Sequence, residues 1–187
     1  VGRARAWAAG RRGTISFAVR AGGRAWGWRA RRTVPTASVL KALMLVAYLR
    51  RRDVAHRPLR AADRALLAPM IRRSDNVAAT RVRDIVTSAG LQRLGRIAHL
   101  PSLRVAAVWG LSRLDARDAA RFFLQLPGLV PRRHRAYATW LLAHVVSSQR
   151  WGIGQVSLPA GWRLLFKGGW GSGTGAVDHQ AALLISR

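Results

Sequence analysis

Three short stretches bring together residue types suited to acyl transfer: Ser38-Val39-Leu40-Lys41, Ser74-Asp75-Asn76 and Lys167-Gly168-Gly169. In the first, Ser and Lys stand three apart, and residues at that spacing are neighbours on a helix. A lysine there can take the serine proton if its amine is uncharged. Burial among Leu40, Leu43 and Met44, with a second cation nearby, lowers a lysine pKa toward that use. Arginine is not deprotonated in proteins, and here the choice of cation is informative. The chain carries 33 Lys plus Arg, and every one except Lys41 and Lys167 is arginine. Ser38, after Pro35-Thr36, also reads as a helix N-cap.

Ser74-Asp75-Asn76 is the more specific stretch, because Asn76 is the sole asparagine of the chain. The alternative reading is a turn between helices, since all three side chains bond readily to local backbone. Lys167 ends a β segment, and Gly168 and Gly169 let a substrate backbone approach closely. A solvated lysine at a strand end is the competing reading.

Ser-x-x-Lys, Ser-Asp-Asn and Lys-x-Gly, in that order, resemble the motifs of class A β-lactamases and penicillin-binding proteins. The surrounding LLAPMIRRSDNVAATRV and QRWGIG (149–154) add to the likeness, which covers about residue 14 to the end. The resemblance implies an α+β fold, with an antiparallel sheet built from both chain ends and a helical lobe. It places the sheet lobe at about 1–34 and 160–187 and the helical lobe at about 35–159, in one domain. It further implies that Ser38 is acylated, Lys41 accepts its proton, and Ser74 relays a proton to the leaving nitrogen. Asn76 is expected to hold a substrate amide, and Lys167 to attract a substrate carboxylate and help keep Lys41 neutral. Gly169 and Trp170 fall at the substrate edge, with the N–H groups of Ser38 and Trp170 as the expected oxyanion hole. The implied substrate is a β-lactam or a peptidoglycan-like amide, met outside the cytoplasm by a monomer without cofactor or metal.

The sequence departs from that pattern in three places. Class A enzymes use a glutamate to hydrolyse the acyl-enzyme, and this chain has no glutamate. Its acids are seven aspartates, none lying between Asp84 and Asp115, where the glutamate-bearing loop is expected. Asp115 reads as a capping-box acid and Asp118 as a partner for Arg121. Acylation is therefore better supported than turnover. Gly168 stands where a hydroxyl residue usually follows the lysine in the family, so one hydrogen bond to a substrate carboxylate is missing, and Trp170 adds bulk, which points to a shifted substrate preference. The last strand, expected between the two hairpins, and a final helix have no counterpart in the sequence.

The formal charge of +26 raises a second class of function. Clustered cations bind phosphate polymers by releasing counterions. The basic runs, RARR (29–32), RRR (50–52) and PRRHR (131–135), are scattered rather than gathered on one face, as a bias toward arginine codons also produces. No specific nucleic-acid partner is expected. The alternative reading is a non-hydrolytic module of the same fold that binds anionic wall polymer or nucleic acid. The absence of cysteine excludes disulfides and thiolate chemistry. The apolar run ALMLVAYL (42–49) is too short to span a bilayer.

The elements that must position these residues follow from periodicity. TISFAVRA (14–21) and GRAWGWRAR (23–31), joined at Gly22-Gly23, read as a hairpin. SVLKALMLVAYLRR is apolar nearly all round, as a central buried helix is. Helical patterning runs from Pro58 to about Gln149, with breaks predicted at Gly90, Pro101, Pro127 and Pro131. A helix is predicted to begin at Ser112. GWRLLFKGG and GAVDHQAALLIS return to β character across a glycine-rich turn, GSGTGA (171–176). Asp178-His179 offers no Ser/His/Asp constellation, because neighbours on a strand face opposite ways. The five histidines show no metal spacing.

Overall fold

A computed structural model describes residues 1–171 and 176–186. In chain order the elements are α1 (Gly2–Ala9), β1 (Phe17–Ala21), β2 (Arg24–Trp28), β3 (Thr33–Pro35), α2 (Leu40–Leu49) and α3 (Arg52–Ala55). There follow α4 (Ala61–Arg72), α5 (Asn76–Ile97), β4 (Arg113–Asp115), α6 (Ala116–Leu129), α7 (Arg132–Ala143), β5 (Trp162–Gly171) and β6 (Val177–Ser186). Strands thus come from both chain regions around a helical middle, the mixed α and β architecture that the motifs imply.

All ten residues of α2 are buried, which is why this segment has no polar face. It packs against α4, α5 and α7, and its Leu and Met side chains form the centre of the core. The β1–β2 hairpin turns at Gly22 and Gly23, with φ of +54° and +73°. Two successive left-handed residues make the tight turn whose twist suits paired strands, and glycine adopts that conformation without strain. β5 and β6 form a ten-residue antiparallel ladder with Lys167 opposite Ala181 and Trp170 opposite Asp178. β3 pairs with β4, tying the entry to α2 to the entry to α6.

The expected single sheet is resolved into separate pairs: among the described residues no ladder joins β1–β2 to β5–β6. Instead α6 packs against both hairpins. Between them lies a cavity of about 680 Å³, lined by residues 13–16, β3 and residues 176–181. The hydroxyls of Ser16 and Thr36, both at this cavity, are buried without a hydrogen-bond partner among the described residues.

Several predicted boundaries move. The helix expected at Ser112 starts at Ala116, because Asp115 is the cap: its Oδ1 accepts from the Asp118 N–H at 2.7 Å. Ser112 is buried and its hydroxyl accepts from the Ala106 N–H instead. Asp118 does not pair with Arg121. It accepts from the backbone N–H and hydroxyl of Ser102, while Arg121 donates to the His99 carbonyl. Pro127 lies inside α6 near its end, and the bend in α5 falls at Thr87, φ +66°, rather than at Gly90. The turn GSGTGA lies largely outside the described residues. Among the described residues no helix is long and apolar enough to cross a membrane.

Candidate active site

Each of the three motifs is delivered by a different element. Ser38 belongs to a 3₁₀ turn, Ala37–Val39, that runs straight into α2, so Lys41 lies in the first turn of that helix. Ser74 and Asp75 form the corner between α4 and α5, with Asn76 opening α5. Asp75 caps α5 by accepting from the Ala78 N–H at 2.7 Å. The turn reading of Ser-Asp-Asn therefore holds for Asp75, while Ser74 and Asn76 accept hydrogen bonds from Lys41. Ser74 is held at φ +57°, a left-handed conformation that costs a residue with a Cβ about 1–3 kcal/mol. Ala37 carries the same signature, φ +43°.

The hydroxyl of Ser74 is where the lysines meet. Lys41 Nζ donates to the Ser74 carbonyl, to Ser74 Oγ at 3.1 Å and to Asn76 Oδ1 at 2.7 Å. Lys167 Nζ donates to the same Ser74 Oγ at 3.0 Å and to the Gly168 carbonyl at 2.7 Å. Both lysines are fully buried, at 0 % exposure, so the solvated strand-end reading of Lys167 is wrong. Burial pushes the Lys41 amine down to about 8, an effect that Asp75 partly opposes. Burial, and then the charge of Lys41, push Lys167 down to about 7. The sequence predicts that Lys167 holds Lys41 neutral; in the structure both amines are lowered chiefly by burial, the Lys41 charge adding to the effect at Lys167 and Asp75 offsetting it at Lys41.

Ser38 is half-buried, and its hydroxyl has no hydrogen bond among the described residues. It is neither an N-cap nor bonded to Lys41, whose Nζ is turned to Ser74 and Asn76 instead. Gly169 reaches Ser38 from the other side. A Cβ at 169 would stand 2.7 Å from Ser38 N and 2.8 Å from Val39 N. At Gly168 it would run into the indole of Trp151. These glycines are required by the protein's own close packing, where the sequence suggested room for a substrate backbone. Trp170, 48 % exposed, meets Trp151 edge-on at 4.8 Å between ring centroids.

Two residues were not found from sequence. Trp151 buttresses β5 and donates from its Nε1 to Asp178 at 2.9 Å. Trp109, in a 3₁₀ turn, places its ring over Lys41 with 5.1 Å from Nζ to centroid. Isolated tryptophans in loop sequence carry no periodic signal that would mark either. His179 bonds to the Pro35 carbonyl at 2.7 Å, apart from Asp178. Among the described residues no group of His, Cys, Asp or Glu could hold a metal ion.

No family model matches the chain, and no curated protein matches it. Solved structures do. A β-lactamase from Sphaerobacter thermophilus DSM 20745 aligns with a TM-score of 0.80 at 20% identity, over 99% of this chain and 82% of that one. A class A β-lactamase representative from Bacteroides cellulosilyticus DSM 14838 aligns with 0.83 at 16% identity, over 98% and 82%. An ancestral class A β-lactamase gives 0.72 at 20% identity, over 90% and 78%. Likeness at such identities is a matter of architecture, and it is plain: the chain has the fold of the class A β-lactamases.

Proposed function

We propose that the protein is a serine acyl-enzyme of the β-lactamase type, acting outside the cytoplasm on a β-lactam or a peptidoglycan-like amide, with slow release of the acyl group. The observation that supports this reading is the convergence of two buried lysines, Lys41 and Lys167, on the hydroxyl oxygen of Ser74, with Ser38 one turn before Lys41. Ser38 is the nucleophile and neutral Lys41 its base. Asn76 Oδ1 accepts a substrate amide N–H, which loosens one of the bonds holding Lys41 and lets Nζ turn to Ser38. Catalytic hydrogen bonds commonly tighten only when substrate is bound. Attack of Ser38 Oγ on the carbonyl breaks the C–N bond, and Ser74 passes a proton to the leaving nitrogen. Lys167 draws a substrate carboxylate to the β5 edge, beside Gly169 and Trp170. With no glutamate in the chain, hydrolysis of the ester lags behind its formation.

Intact mass after incubation with a fluorescent penicillin tests the reading. One adduct is expected, absent from Ser38→Ala. Absence of any adduct, together with salt-sensitive binding of an anionic polymer, would favour the non-hydrolytic basic module instead, whose support is the charge of +26.

A further inference from the structure

Lys41 Nζ is enclosed on every side that the structure describes. Ser74 O, Ser74 Oγ and Asn76 Oδ1 take its hydrogen bonds, and the face of Trp109 covers it at 5.1 Å. That ring is not loosely placed. Its Nε1 donates to Thr80 Oγ1 at 3.2 Å, one turn along α5 from Asn76. The turn carrying it is closed by Leu111 N to Val108 O at 2.9 Å and Ser112 N to Trp109 O at 3.1 Å. Lys41 consequently exposes no surface.

We infer that Trp109 is a positioning residue that shuts water out from above Lys41 and so prolongs the life of an acyl group on Ser38. The inference rests on the acyl-enzyme reading. Hydrolysis of the ester needs a water and a base within reach of it. The nearby acids are engaged elsewhere: Asp75 caps α5, Asp115 caps α6, and Asp118 accepts from Ser102. Lys41, one turn from Ser38, is the amine that the acyl-enzyme reading uses as base, and the indole occupies the space in which a water would approach it. If that space opens, neutral Lys41 takes a proton from water and the oxygen attacks the ester carbonyl. The bond from carbonyl carbon to Ser38 Oγ then breaks, and the proton on Lys41 returns to Oγ. Atoms balance and no further reactant is needed.

The test compares wild type, Trp109→Ala and Trp109→Phe. Each is acylated with a fluorescent penicillin, freed of excess reagent and followed by intact mass. All three are expected to form the adduct. Trp109→Ala loses it at least about tenfold faster, a lowering of the barrier by about 1.4 kcal/mol, with a rate that climbs with pH as Lys41 loses its proton. Trp109→Phe, which restores a flat face, keeps a lifetime near that of wild type. Equal lifetimes in wild type and Trp109→Ala overturn the inference, as does a phenylalanine variant as leaky as alanine. If alanine prevents folding, Trp109→Leu carries the same comparison. Adduct formation reports on the acyl-enzyme reading and adduct decay on Trp109; a wild type that never acylates removes both.

Discussion

Lys41 and Lys167 share one oxygen: Ser74 Oγ lies 3.1 Å from the first amine and 3.0 Å from the second. A hydroxyl carries a single proton. When one amine is charged and the other neutral, the ammonium donates to Oγ and Oγ–H donates to the neutral lone pair. Ser74 Oγ then bridges the two amines from a residue whose backbone is left-handed, φ +57°. Burial lowers both amines, Lys167 to about 7 and Lys41 to about 8, so both titrate near neutral pH.

Because the chain has only these two lysines, the coupling is directly measurable. Protein labelled with ¹³Cε-lysine should give two signals titrating near 7 and near 8. Lys41→Met removes the like charge beside Lys167, so the remaining signal should titrate higher than in wild type. Two signals titrating together near the ordinary value of about 10.4 would contradict the buried pair.

The same groups set the pH dependence of stability. Both lysines have folded pKa values below their unfolded ones, so between about 7 and about 10 the unfolded chain holds more protons than the folded one. Stability therefore rises with pH across that window and falls on acidification toward 7. Tyr48 acts oppositely, pushed up to about 12 by burial and its bond to Asp63. Above pH about 10 the unfolded chain loses a phenolic proton that the folded one keeps, and stability declines again. Urea denaturation across the range should place the optimum near pH 10, and Lys167→Met should flatten the rise below it. An optimum at or below pH 7 would refute the assignment.

Asp63 anchors the helical core from its edge. It accepts from Tyr48 Oη at 2.7 Å, from Arg57 at 2.6 and 3.1 Å, and from the Arg60 N–H at 2.7 Å. Arg57 first, with Tyr48 and the Arg60 N–H, holds its carboxyl well below the usual range. That contribution is present above the unfolded value near 4 and fades as pH falls below it. Asp63→Asn removes the carboxylate that Arg57 pairs with and should lower stability in denaturant unfolding at pH 7. Acylation of Ser38 at 25 °C should be unaffected, since the site is built from other elements.

Sequence alone was enough to locate Lys41, Ser74, Asn76 and Lys167, because rare residue types stand out against an arginine-rich background. It also marked α2, whose all-round apolarity has one physical meaning, and the Gly22-Gly23 hairpin. What it missed depends on distance in space. Trp109 reaches Lys41 from a turn with no motif, and Ser112 looked like a cap because its burial beneath Ala106 is not written in its neighbours. The full set of influences on the lysine pKa values was illegible for the same reason: they depend first on burial, then on Asp75 near Lys41 and on the Lys41 charge near Lys167. α1 went unread because its basic and small residues show no periodic face.

Gly169 and Gly168 give the sharpest separation of site from scaffold. A Cβ at 169 would meet backbone on all sides, at 2.7 Å from Ser38 N, 2.8 Å from Val39 N and 3.2 Å from Thr36 O. Backbone cannot swing aside, so β5 or the Ser38 turn must move. Overpacking of this kind costs about 1–3 kcal/mol. Because the displaced atoms belong to Ser38 itself, Gly169→Ala should also slow adduct formation by at least about tenfold. A Cβ at 168 meets only the indole of Trp151, a side chain that can yield. Gly168→Ala should therefore lower thermal stability while leaving the acylation rate within about threefold of wild type. Stopped-flow labelling of the two variants beside their melting curves decides the matter: equal acylation defects at 168 and 169 would mean that the strand acts on the site as a whole, and not through its contact with Ser38.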